Sequence, residues 1–168
     1  MKTAPAAPDG AGIDAGNLRI ALVVSAYHED ITGALRAGAA AALEHAGVRG
    51  DAVVVIPVPG AFEIPFAARQ AAETRRFDAV VCLGCVIRGQ TPHYDYIASA
   101  VAHGIMIASQ TTGVPISFGV LTTNTLGEAV ARSGPGEANK GWEAAMAALQ
   151  LTDVKRRLTR PRASGSAA

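Results

Sequence analysis

The chain predicts an α/β fold, a three-layer αβα sandwich in which a four-stranded parallel sheet carries helices on both faces. Three observations predict it. Four short apolar runs rich in Val and Ile alternate with longer stretches whose apolar residues recur at helical spacing. Elements that alternate in this way need crossover connections, and crossovers give a parallel sheet covered on both sides. Hydrophobic residues make up 49% of the 168 residues but aromatics only 5%, so the apolar content is largely Ala and Val, which suits close packing of helices on a sheet.

Residues 1–16, rich in Ala, Pro, Gly and Asp, are expected to form a flexible arm, and they lack the apolar middle of a secretory signal. One domain is expected over 17–158, followed by a flexible tail over 159–168. Leu18 to Ser25 reads as the first strand, and Ala26-Tyr27-His28-Glu29-Asp30 as the loop beyond its carboxyl end. A helix from about Asp30 to Ala46 puts Ile31, Leu35, Ala39, Ala42 and Leu43 on one face, with Gly47 as its stop signal. Ala52 to Pro57 is the second strand, and Val58 to Glu63 leads into a helix ending near Thr74. Phe77 to Leu83 is a continuous apolar run suited to a strand buried on both faces. From Gly84 the reading is a loop, with Thr91 as N-cap and Pro92 in the first position of a helix that runs to about Ser109. Val114 to Leu121 is the fourth strand, a short helix follows Thr125, and a Gly-Pro-Gly break occupies 134–136. The last helix, from about Ala138 to Leu158, carries an apolar stripe of Trp142, Ala145, Met146, Leu149 and Val154. The basic run Lys155, Arg156, Arg157, Arg160 and Arg162 suits the negative end of that helix.

Composition excludes several classes of function. A net charge of +1 favours neither nucleic acid nor an anionic membrane, no apolar run reaches the roughly 18 residues of a membrane span, and a cytoplasmic protein is expected. Cys82 and Cys85 have C-x-x-C spacing, but they lie along an apolar strand and no further Cys could complete a metal site, so they read as core residues. No metal and no cofactor is expected. The first strand is not followed by G-x-G-x-x-G, so the usual dinucleotide site is absent. A flavodoxin would need a Ser/Thr-rich phosphate loop at 26–30, and a receiver domain an acceptor Asp at the end of a central strand.

In parallel α/β sheets ligands collect beyond the carboxyl ends of the strands, which makes the loops at 26–30, 58–63 and 84–93 and the region after 118 the informative ones. Tyr27 could stack on a planar ring, with His28 beside it. Ala61 and Phe62 offer backbone N–H groups, and Glu63 offers a carboxylate for a polyol or an amine. Gly89 lets a ligand approach the backbone, while Gln90 and Thr91 present N–H groups at a helix N-terminus, which suits phosphate. His93 follows within reach, and an imidazole can take and give protons near neutral pH. His45 and His103 lie within helices and read as ordinary surface or packing residues.

Pro-Gly-Ala-Phe-Glu-Ile-Pro at 59–65, Leu-Gly-Cys-Val-Ile-Arg-Gly-Gln-Thr-Pro-His-Tyr-Asp-Tyr at 83–96, and Asn139-Lys140-Gly141 opening the last helix resemble the 6,7-dimethyl-8-ribityllumazine synthase family, from about Leu18 to Leu158. The resemblance implies a flavodoxin-like arrangement and a transferase of riboflavin biosynthesis. It would condense 5-amino-6-(D-ribitylamino)uracil with 3,4-dihydroxy-2-butanone 4-phosphate, releasing phosphate and water without a cofactor. It places Tyr27 and His28 at the pyrimidine, Ala61, Phe62 and Glu63 at the ring and ribityl chain, and the backbone of Cys85, Val86 and Ile87 at the pyrimidine edge. Gln90 and Thr91 fall on the phosphate loop and His93 on the proton carrier. The family's site lies between subunits of a pentamer, which makes Phe118, Arg132 and Lys140 residues that a neighbour donates, Arg132 reaching the phosphate as a catalytic group. Two departures stand out: many members carry Arg-Phe-Asn where this chain has Ala26-Tyr27-His28, and Pro135 is unusual in the break before the last helix. The shortness of that break is similar to shell-forming members, implying an icosahedral capsid of sixty subunits with riboflavin synthase as a partner. The rival readings are a shell whose chemistry has lapsed and a flavin-binding module.

Overall fold

The computed structural model describes residues 12–161; most of the expected arm and the tail from Arg162 lie outside the described residues. Its elements run β1 (Ile20–Ser25), α1 (Glu29–His45), β2 (Val53–Val58), α2 (Ile64–Glu73), β3 (Ala79–Ile87), α3 (His93–Thr112), β4 (Ile116–Thr123), α4 (Leu126–Arg132) and α5 (Lys140–Thr159). Single 3₁₀ turns at Gly50–Ala52 and Ala61–Glu63 lead into β2 and α2. All strands are parallel, in the order β2-β1-β3-β4. The expected three-layer α/β architecture is therefore present.

Period-two alternation sends the strand residues to two cores. Ile20, Leu22, Val81 and Leu83 meet Leu35, Leu43, Ala145 and Leu149 of α1 and α5 on one face. Ala21, Val23, Val80 and Cys82 meet Ile64, Ala68, Val101 and Ile105 of α2 and α3 on the other. Each fully buried Leu, Ile or Val adds about 1.5–3 kcal/mol, so the central strands β1 and β3, buried on both faces, anchor the sheet. The two cysteines belong to opposite cores, Cys82 under α2 and α3 and Cys85 on the α1 side, both free thiols. Three residues apart on a strand, their side chains point to opposite faces.

The structure differs from the sequence reading most at the end of β3, the start of α3 and the inner face of α5. β3 does not stop at Leu83 but continues through Gly84-Cys85-Val86-Ile87, each paired with a residue of β4 from Val120 to Thr123. Gly84 is a packing residue there, since a Cβ would press to 2.8 Å from Ile64 Cδ1. α3 begins at His93, with Pro92 in the cap position and no side-chain cap from Thr91. Val154, expected on the inner stripe of α5, is 37% exposed, and Thr152 is buried in its place. At the start of the described chain, Ala15 is buried and the Asp14 carbonyl accepts a hydrogen bond from Arg156 at 2.7 Å.

Two polar devices hold the helix ends. Thr125 caps α4 by accepting from the Glu128 N–H, and the Glu128 carboxylate accepts from the Asn124 N–H. Asn139, buried, caps α5 by accepting from Gly141 and Trp142, while its amide donates to the carbonyls of Ala34, Ser133 and Gly134. The glycines beside it are required by space, because a Cβ on Gly141 would fall on the Leu35 carbonyl and one on Gly38 would strike the Asn139 amide.

Candidate active site

β1 and β3 are neighbours, yet the helices that follow them pack on opposite faces, so a crevice opens beyond their carboxyl ends. An open cavity of about 660 Å³ occupies it, walled by the loops after β1, β2 and β3 and by Leu126 of α4.

In the first loop, the buried Ser25 hydroxyl accepts from the Tyr27 N–H at 3.2 Å and turns the chain outward. His28 adopts a left-handed conformation, φ 59° and ψ 54°, and its carbonyl accepts the N–H groups of Ile31 and Thr32. Histidine, like asparagine, tolerates that region better than most residues, so the turn is accommodated at His28. The His28 ring meets Tyr27 edge-on at 4.6 Å between centroids. Tyr27, 67% exposed, keeps a face free for a planar ring.

The second loop brings a 3₁₀ turn to the cavity wall, with Ala61 buried and Phe62 and Glu63 exposed. In the third, Val86 and Ile87 line the cavity as half-buried strand residues. Cys85 also borders it but is 2% exposed, which leaves chiefly its backbone for contact. Burial pushes the Cys85 thiol up to about 11 and the Cys82 thiol higher still, so neither is a nucleophile. Among the described residues no acceptor engages the N–H of Gln90 or Thr91. Thr91 and His93 line the cavity, and Gln90 stands just outside its wall.

Phe118, Arg132 and Lys140 do not join this group. They share a separate groove of about 400 Å³ along β4, the edge strand, and the start of α5. Arg132 donates to the Glu128 carbonyl at 3.0 Å, and Lys140 is 2.7 Å from both oxygens of Glu143. Sequence reasoning missed Tyr94, Ile97 and Leu126 as cavity residues. Tyr94 lies inside the motif at 83–96, whereas Leu126 arrives only through tertiary packing, with no local signal. Among the described residues no three His, Cys, Asp or Glu side chains gather as metal ligands, and no helix is long and apolar enough to cross a membrane.

A model of the 6,7-dimethyl-8-ribityllumazine synthase family matches residues 17–156. A protein of Syntrophus aciditrophicus (strain SB) described as 6,7-dimethyl-8-ribityllumazine synthase is 46% identical over 144 residues, 86% of this chain and 94% of its own length. With the family match spanning residues 17–156 and a relative 46% identical over 86% of the chain, the chain belongs to the 6,7-dimethyl-8-ribityllumazine synthase family.

Proposed function

We propose that the cavity at the β1/β3 crevice is where this chain, an enzyme with the lumazine synthase activity of its family and a transferase of riboflavin biosynthesis, condenses its two substrates. The observation that carries the assignment is the meeting of Tyr27, the Ala61–Glu63 turn, Thr91 and His93 around one cavity. Tyr27 stacks on the pyrimidine of 5-amino-6-(D-ribitylamino)uracil, with His28 behind it. The turn at Ala61, Phe62 and Glu63 holds the ring and ribityl chain, and the main chain of Cys85, Val86 and Ile87 meets the pyrimidine edge. The N–H groups of Gln90 and Thr91 take the phosphate of 3,4-dihydroxy-2-butanone 4-phosphate. Amine and ketone form an imine with loss of one water, phosphate is eliminated, and the ribitylamino nitrogen closes the ring on the remaining carbonyl with loss of a second water. His93 moves protons between these steps. Holding both substrates together supplies much of the rate, so general acid–base help of about 10²–10⁴ is enough.

The assembly completes the site. Phe118, Arg132 and Lys140, gathered on an edge strand away from His93, serve the cavity of a neighbouring copy, where Arg132 adds a forked cation to the phosphate. A homo-oligomer built of pentamers is supported by the apolar side chains left exposed on the helices, Met106 and Ile107 on α3 and Leu151 and Leu158 on α5. The short 133–139 connection favours sixty subunits, in the cytoplasm, with riboflavin synthase as a partner. Particle mass in solution tests this, and a monomer would defeat it. Mixing the two substrates and following lumazine absorbance tests the chemistry. Product formation supports the assignment; an inert shell, or tight riboflavin binding without turnover, would leave the cavity a different role.

A further inference from the structure

Arg88 is a residue of the third loop that the mechanism above does not use. Its backbone N–H donates to the Thr123 carbonyl at 2.9 Å, extending the β3 to β4 pairing by one bond. Its guanidinium reaches three residues at once. Nη2 is 3.1 Å from Asp95 Oδ1 in the first turn of α3, Nε donates to Asn124 Oδ1 at 3.2 Å in the β4 to α4 connection, and Cζ lies 4.4 Å from the centre of the Tyr94 ring. Tyr94 in turn lines the cavity beside His93.

We infer that Arg88 is a positioning residue that sets the shape of the 89–91 loop and the orientation of the first turn of α3, and thereby the placement of phosphate and of His93. The inference rests on the proposed assignment of that loop to phosphate. Gly89, Gln90 and Thr91 make no backbone or side-chain hydrogen bonds to the rest of the described chain, so nothing inside the loop fixes it. Its two ends are fixed instead, at Arg88 by the strand bond and at Asp95 by the ion pair, with Asn124 and Tyr94 holding the guanidinium plane. A planar fork with donors in two directions is needed for that, and lysine cannot provide it. The pair is half exposed, so its value lies in geometry rather than in Coulomb energy.

The sign of one substitution separates this role from direct binding. Asp95 puts a negative charge in the turn next to the loop, so charge alone predicts that Asp95→Asn tightens an anion there. Loss of positioning predicts the reverse. The test uses the full chain in its native assembly, with inorganic phosphate as competitive inhibitor and each substrate varied in turn. For Asp95→Asn and Arg88→Lys, the expected result is about a tenfold rise in the inhibition constant of phosphate and in KM for the phosphorylated ketone, with KM for the pyrimidine unchanged. The double variant is expected to be no worse than Arg88→Lys alone, because both remove one brace. Unchanged or tighter phosphate binding in Asp95→Asn overturns the inference. Should Arg88→Lys not fold, Asp95→Asn carries the test by itself. His93→Ala serves as the control on the site: if it leaves turnover intact, the assignment of the loop fails, whereas slowed turnover there with phosphate binding intact in Asp95→Asn sinks only the role of Arg88.

Discussion

His93 is exposed at the first position of α3, and no hydrogen bond to its imidazole forms within the described residues. A ring so placed is free to exchange protons with a bound molecule. His93→Ala is expected to lower kcat by about 10²–10⁴ while affinity for the pyrimidine stays nearly unchanged, measured by steady-state turnover and by equilibrium titration. The thiols give a second prediction. Cys85 rises from 9.0 to about 11 and Cys82 rises further, both through burial of a group that would otherwise ionise. Above about pH 9 the unfolded chain releases these protons and the folded chain keeps them, so stability is full below that pH and falls as pH rises through 9 to 11. The double variant Cys82→Ala, Cys85→Ala is expected to flatten that alkaline decline in urea titrations. At this scale the sequence put at the cavity wall those residues whose type and loop position coincide, such as Tyr27, Glu63 and His93. It was silent on Leu126, whose place at the cavity depends on where α4 docks.

Helix ends and strand ends tell more about legibility. The order and kind of every main element follow from apolar periodicity, because the two cores alternate along each strand. The exit of β3 was misread, since Gly84 normally marks a break, whereas here it makes room for Ile64 and the strand runs on. The start of α3 moved for a related reason: Thr91 was expected to cap, but the helix is entered through Pro92. Asn139 is the element-scale feature with the largest consequence. Its side chain joins α5, the 133–134 turn and α1, and Gly38 and Gly141 exist beside it for lack of space. Asn139→Ala removes the cap and strands buried carbonyls, so a loss of about 2–3 kcal/mol is expected in denaturant unfolding. Asn139→Asp is expected to recover part of it, keeping the acceptor that caps Gly141 while losing the donors.

The whole molecule divides its proposed chemistry between two places, the crevice above β1 and β3 and the groove on β4. If each site combines the crevice of one copy with the groove of the next, two inactive variants repair one another. His93→Ala and Arg132→Ala, mixed in equal amounts and reassembled from the dissociated state, are expected to regain about a quarter of native activity, since in a head-to-tail ring one random neighbour pair in four is intact on both sides. No recovery, with particles of native size, would place Arg132 at its own cavity. The resemblance implied that the two groups serve different copies, and the strand order β2-β1-β3-β4, with β4 at the sheet edge, sets them apart on one chain. The economy of aromatic residues has a further effect. Trp142 is the chain's one tryptophan, and it sits at the seam of α1 and α5, its ring 5.5 Å from that of His45 and outside the cavity wall. Emission excited at the indole band should therefore report the opening of that seam rather than direct contact with whatever enters the crevice.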